Sequence, residues 1–130
     1  MPQVQKNYIH AYVDEFEDVL AGENFMDAVT GCRKYIDSES IIDFFLIDEL
    51  SKNVDAYRLS TYFYKDNDNR GGKLTMDPLW DFDLSFGNAD YYEAFQTSGW
   101  ILHSFASWDG FQSPYWWDRL REDPDYKVSL

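Results

Sequence analysis

Residues 57–86 read YRLSTYFYKDNDNRGGKLTMDPLWDFDLSF, and how they fold decides the class of the whole chain. Two runs rich in aromatic and apolar residues flank a polar tip, DNDNRGG, that carries two glycines. Aromatic and β-branched side chains suit a pleated, half-buried surface, and a Gly-containing polar tip reverses the chain. The stretch therefore predicts a β-hairpin. Asp77-Pro78 lies inside the second run. Proline has no N–H for a ladder, so an edge position or a bulge is expected there.

Upstream, Ile9, Tyr12, Val13, Phe16, Val19 and Leu20 recur at helical spacing over residues 8–21. Asp14, Glu15, Glu17 and Asp18 take the other side, and Gly22 is a natural stop. Residues 23–38 read as irregular, with a short helical turn around Phe25 to Val29. Ser40 and Asp43 form a Ser-x-x-Asp start signal. The SIIDFFLIDELSKN that follows is apolar on most sides, which predicts a largely buried helix over about 40–53. A buried strand is the rival; length and the acidic pair Asp48 and Glu49 favour the helix. Past Gly87 the pattern is aromatic and irregular, with one more helix near Pro114 to Arg121 and Pro114 early in its first turn. Nothing repeats. The order helix, helix, hairpin, helix is an α+β class, with residues 1–130 a single domain.

Twenty-four acids against 11 bases give a net charge of −13. Phosphate backbones and anionic membrane surfaces both need positive charge, so no nucleic-acid partner is expected. No apolar run approaches the length that spans a bilayer, so no membrane insertion is expected either. Metal cations or basic proteins suit this charge better, although an acidic, merely soluble surface would read the same way. Cys32 is the one cysteine, which excludes an intrachain disulfide and a Cys-based zinc site. Five Trp, ten Tyr and ten Phe make the chain 19% aromatic. Such a load implies a large-residue core, a covered interface or a stacking surface for sugars.

Three constellations carry candidate chemistry. In an extended segment, residues i and i+2 face the same way. Asp81 and Asp83 would then share one face, while Phe82 faces the core with Trp80 and Leu84. Two neighbouring carboxylates raise each other's pKa unless something positive lies between them. A divalent cation with oxygen ligands does this; water or Arg58 are the structural alternatives. Asp55, in KNVDAYRLS, sits between the predicted helix and the hairpin, where loops hold functional carboxylates. A helix C-terminal turn or an Asx-turn would explain it as well. The tip DNDNRGGK imitates a calcium loop, but Arg70 takes a ligand position and Asp77 stands at the twelfth, so a solvated turn is expected. His10 and His103 lack ligand partners at short spacing. No serine-hydrolase elbow, dinucleotide loop or Walker loop is present.

The strings ELSKNVDAYRLSTYFYKD at 49–66, GKL at 72–74 and PLWDFDLSFGN at 78–88 together resemble the C-terminal part of the CotH kinase family, the spore-coat protein H relatives. PYWWDRLREDPDY at 114–126 is similar to that family's continuation, so the resemblance runs from Tyr35 to Tyr126. The joint match of Asn-x-Asp with Trp-Asp-Phe-Asp and Phe-Gly-Asn at this spacing is specific. The family contains atypical protein kinases, secreted or of the spore coat, with a divergent kinase-like fold. The resemblance therefore implies the C-terminal lobe part of such a fold, Mg²⁺ or Mn²⁺ with ATP as cofactors, and a protein Ser or Thr hydroxyl as acceptor. It also implies a bacterial, cell-surface or extracytoplasmic setting. Asp55 matches the aspartate that orients or deprotonates the acceptor hydroxyl. Asp81 matches the aspartate that holds the metal against the nucleotide phosphates, with Asp83 in support.

Two departures follow. Five residues after Asp55 the kinase pattern has an Asn for a second metal ion; here Ser60 stands, a hydroxyl ligand in place of an amide oxygen. The lobe with the phosphate-binding lysine and nucleotide-covering loop has no counterpart, since neither Lys6 nor Lys34 lies in the expected strand pattern. The chain is therefore expected to be part of a larger domain, inactive alone. The rival is a non-catalytic module, a carbohydrate- or protein-binding surface or pseudokinase scaffold, presenting Trp80, Trp100, Trp108, Trp116 and Trp117.

Overall fold

A computed structural model describes residues 1–105 and 113–127. Trp108 lies outside the described residues. The spacing of apolar residues near the N-terminus does produce a helix, α1 (Gln3–Ala21), which begins five residues earlier than the pattern alone indicates. Phe16 and Leu20 are its buried contacts, and Tyr12, Val13 and Val19 pack beside them. The following residues form turns closed by Asp27, which accepts from the Val29 and Thr30 amides, and a 3₁₀ turn over Cys32–Lys34. Cys32 is buried, and burial pushes its thiol pKa up.

The second helix, α2 (Ser38–Ser51), starts at a different cap from the expected one. Asp37, not Ser40, is the N-cap, and its carboxylate accepts from the Glu39 and Ser40 amides. Ser40 turns its hydroxyl to other work, donating to the Asp37 carbonyl and accepting from the Met76 amide at 3.1 Å. Ile41, Phe44 and Phe45 are buried, as the apolar run requires, and so are Asp48, Glu49 and Ser51 at the C-terminal end.

The hairpin exists but is short. β1 (Phe63–Lys65) pairs antiparallel with β2 (Leu74–Met76), Tyr64 opposite Thr75. On its other side, β2 meets the chain entering α2: Leu74 N donates to the Tyr35 carbonyl and Asp37 N to the Leu74 carbonyl, both at 2.8 Å. The ladder ends at Met76, directly before a cis Asp77–Pro78 peptide. Residues 57–62 and 79–86, expected as strand, are turns and irregular chain. Asp81 has φ 66°, a left-handed conformation outside the β region, so the extended geometry for WDFD is corrected. Trp80 is 58% exposed and does not join the core; Phe82 and Leu84 are half-buried.

Two short helices complete the fold: α3 (Ile101–Ser104), which the sequence pattern did not signal, and α4 (Tyr115–Leu120), where expected, with Pro114 as its N-cap. α4 packs on α1 and finishes it: Arg119 donates to the Leu20 carbonyl at 3.0 Å and the Gly22 carbonyl at 2.8 Å, satisfying acceptors that a helix C-terminus leaves open. Trp117 stacks on Phe44 at 5.3 Å, meets Tyr57 edge-on at 5.3 Å, and donates its indole N–H to the Tyr57 carbonyl at 2.7 Å. Part of the aromatic excess forms this core, and part is exposed, including Trp80, Phe86, Tyr91 and Phe95 on residues 79–95, with Phe86 73% exposed. The class is α+β: among the described residues, four helices and one two-stranded antiparallel sheet. No helix among them is long and apolar enough to cross a membrane.

Candidate functional site

The C-terminal end of α2 anchors two loops. Lys52 follows the helix in the left-handed conformation, φ 54°, and the chain closes by two bonds, Asn53 N to the Asp48 carbonyl at 3.1 Å and Lys52 N to the Glu49 carbonyl at 3.4 Å. This is the Schellman pattern with lysine where glycine is usual. The loop that leaves it carries Asp55. A second loop docks on the same end, where Phe86 N donates to the Ser51 carbonyl at 2.6 Å. That loop carries Asp81 and Asp83.

Asp55 is held by its backbone on both sides. Its N–H donates to the Asn53 side-chain oxygen at 3.2 Å, an Asx-turn. Its carbonyl accepts from Leu59 N at 3.2 Å and Ser60 N at 3.1 Å. The half-buried side chain lies within electrostatic reach of the second loop. Burial raises the Asp55 pKa, and the charges of Asp81 and Asp83 raise it further against the opposing pull of Arg58. Asp81 and Asp83 are both exposed. Ser60 joins the two loops: its hydroxyl donates to Asp81 Oδ2 at 3.0 Å. Of the four residues singled out from sequence, Ser60 and Asp81 are in contact, and Asp81 and Asp83 lie within electrostatic reach of Asp55, by loop packing and not by sharing a strand face.

Hard oxygen donors of this kind suit Mg²⁺, which takes one or two carboxylates and fills the rest of its shell with water and phosphate. Among the described residues no three His, Cys, Asp or Glu side chains close on one point as a cage would.

Sequence reasoning missed three neighbours. Tyr91 stands close enough for Asp55 and Asp83 to reinforce the effect of burial in raising its pKa. Asp48 and Glu49, read from sequence only as a sign of helix over strand, are buried. Asp48 Oδ1 accepts from Asn53 Nδ2 at 2.9 Å, while Oδ2 is buried with no hydrogen-bond partner among the described residues. Burial above all, with help from Glu49 and against the Asn53 bond, pushes Asp48 up to about 7. Glu49 is fully engaged: Oε1 accepts from Tyr57 OH at 2.8 Å and Leu102 N at 3.1 Å, and Oε2 from Ile101 N at 2.7 Å.

The remaining candidates settle elsewhere. The hairpin tip is paired, with Asp68 accepting from Tyr8 OH of α1 and from Lys65 at 2.7 Å. The Lys65 side chain, 2% exposed, lies between the Tyr8 and Tyr12 rings at 4.9 and 4.6 Å. His10 pairs with Asp14 on the exposed face of α1, and His103 contacts Arg121. A cleft of about 560 Å³ opens beside the end of α2, between Lys52, Phe86, Phe95 and Trp100, and Lys52 closes its rim on the Ser98 and Gly99 carbonyls. None of Asp55, Asp81 and Asp83 lines it. Of the tryptophans, Trp117 is core and Trp116 is half-buried, donating to Glu17 at 2.8 Å.

A family model described as CotH kinase protein matches residues 2–130. The match extends the motif-borne resemblance to nearly the whole chain. No curated protein and no solved structure matches it.

Proposed function

The chain belongs to the CotH kinase protein family, and from that premise we propose that it supplies the acceptor-side and metal-side carboxylates for phosphoryl transfer from ATP to a Ser or Thr hydroxyl. One observation carries the proposal: two loops anchored on one helix end bring Asp55, Asp81 and Asp83 within electrostatic reach of one another. Asp55, with its proton affinity raised, orients the acceptor hydroxyl and takes its proton. Asp81, with Asp83 in support, holds Mg²⁺ or Mn²⁺. Ser60 aims the Asp81 carboxylate through its hydroxyl, with direct ligation of the ion as a second possible use. When bound, the ion offsets the charge of the nucleotide phosphates.

Calorimetric titration of Mg²⁺ and Mn²⁺, with and without ATP, tests the proposal. The wild-type protein is expected to bind the metal–nucleotide pair, and Asp81→Asn to lose that binding while staying folded. Equal binding by the two proteins would sink it. A second reading, a non-catalytic binding module, is favoured by the exposure of Trp80 and Phe86 on the carboxylate loop itself. Tryptophan emission that responds to an oligosaccharide and ignores Mg-ATP would select that reading.

A further inference from the structure

Asp48 and Asn53 are each only 1% exposed. A carboxylate in such a place is costly, and the helix end does not need it. Backbone bonds already close α2, since the Asp48 carbonyl takes the Asn53 amide and the Glu49 carbonyl takes that of Lys52. The Asp48 side chain has one partner among the described residues, the Asn53 side-chain amide at 2.9 Å. Among the described residues that amide has one further partner, the Asp55 N–H at 3.2 Å.

The two partners fix how the Asn53 amide is turned. Asp48 presents an acceptor and Asp55 presents a donor. Rotating the amide by half a turn would set oxygen against oxygen and N–H against N–H, both buried and unpaired. Asp48 therefore determines which way the Asn53 oxygen points. That oxygen in turn holds the backbone of Asp55, whose carbonyl is already taken by Leu59 and Ser60.

We infer that Asp48 and Asn53 are positioning residues for Asp55: the Asp48 carboxyl orients the Asn53 amide, and the amide holds the backbone that carries the Asp55 carboxylate. The inference rests on the role given to Asp55 above. It adds two residues that touch neither acceptor nor metal. The relay needs an acceptor at position 48, not a charge. A protonated Asp48 still offers a carbonyl oxygen, and so does an asparagine.

The test reads Asp55 directly and needs neither ATP nor metal. The Asp55 side-chain carboxyl is titrated by ¹³C NMR, and exchange of its amide hydrogen is followed, in wild-type protein and in Asn53→Ala, Asp48→Leu and Asp48→Asn. Thermal melting establishes that each variant is folded. In wild-type protein and Asp48→Asn, Asp55 titrates above the ordinary carboxylate range. In Asn53→Ala and Asp48→Leu its titration falls toward that range, and its amide exchanges about tenfold faster, as expected for one lost hydrogen bond. If those two variants do not fold, Asn53→Ser, which keeps a local acceptor but loses Asp48, is expected to show the faster exchange. Unchanged Asp55 titration and exchange in a folded Asn53→Ala, Asp48→Leu or Asn53→Ser protein would overturn the inference, as would Asp48→Asn behaving like Asp48→Leu. Absence of metal–nucleotide binding by the wild-type protein would remove the kinase role and leave these readouts standing. Where transfer occurs, kcat falls in Asn53→Ala with the KM for ATP unchanged.

Discussion

Ser60 and Asp81, 21 residues apart in sequence, are joined by a hydroxyl-to-carboxylate hydrogen bond of 3.0 Å, a direct side-chain tie between the two loops of the candidate site. The bond is exposed, so losing it in Ser60→Ala changes stability by less than about 1 kcal/mol. Its effect is expected on Asp81. Outer partners of metal-binding carboxylates orient them, and removing one lowers metal affinity roughly tenfold. Calorimetry on wild-type protein and Ser60→Ala is expected to show that loss in Mg²⁺–ATP binding, with urea unfolding nearly unchanged.

Glu49 should matter more for folding than any other acid of α2. It accepts three hydrogen bonds in a buried setting, two of them from the amides that open α3. Glu49→Ala strands these donors and is expected to cost about 3 kcal/mol or more, whereas Glu49→Gln keeps one good acceptor and costs roughly half as much. Urea denaturation measures both. A loss below 1 kcal/mol in the alanine variant, as read from the ~1 kcal/mol scale of an ordinary hydrogen bond, would contradict the assignment.

Asp48 gives a signed pH dependence. Its unfolded pKa is that of an ordinary aspartate, about 3.9, and burial lifts the folded value to about 7. Between those values the folded protein binds the proton more tightly than the unfolded chain. Stability from this group is therefore full below about pH 4, falls as pH rises toward about 7, and is flat above. The span is on the order of 4 kcal/mol as an upper figure. Asp48→Asn removes this component, so the stability difference between wild type and variant, followed by thermal melting from acid to neutral pH, should shift steadily in favour of the variant.

Lys52 combines a left-handed backbone with a useful side chain. Lys52→Ala removes the tie to the Ser98 and Gly99 carbonyls and keeps the strained conformation. Lys52→Gly removes the same tie and relieves the backbone. The glycine variant is expected to be more stable than the alanine variant by about 1 kcal/mol. Equal melting temperatures would contradict the backbone assignment.

Helices α1, α2 and α4 were legible because their signal is local, whereas the four-residue α3 is too short to carry one. α1 and α4 follow from apolar spacing and from a proline at a start, and α2 from length. The start of α2 was misread because Asp37 and Ser40 both carry capping chemistry, and which one caps depends on Met76, a residue of the hairpin that claims the Ser40 hydroxyl. Strand propensity failed over residues 79–86 for a related reason. Aromatic residues favour a pleated surface only where a neighbouring strand offers one, and the ladder stops at Met76. Asp55, Asp81, Asp83 and Ser60 were found through motif and resemblance. The buried acids were not, because the groups that make Glu49 tolerable are the amides of Ile101 and Leu102, whose position relative to α2 no local pattern reveals.

Phe86 hangs its loop from Ser51 and Asn53 hangs the other from Asp48, three residues earlier on the same rod. Any tilt or slide of α2 carries both acidic tips along as passengers. Their mutual spacing is thereby insulated from motions that displace each of them in space, much as two arms fixed to one shaft keep their gap while the shaft swings.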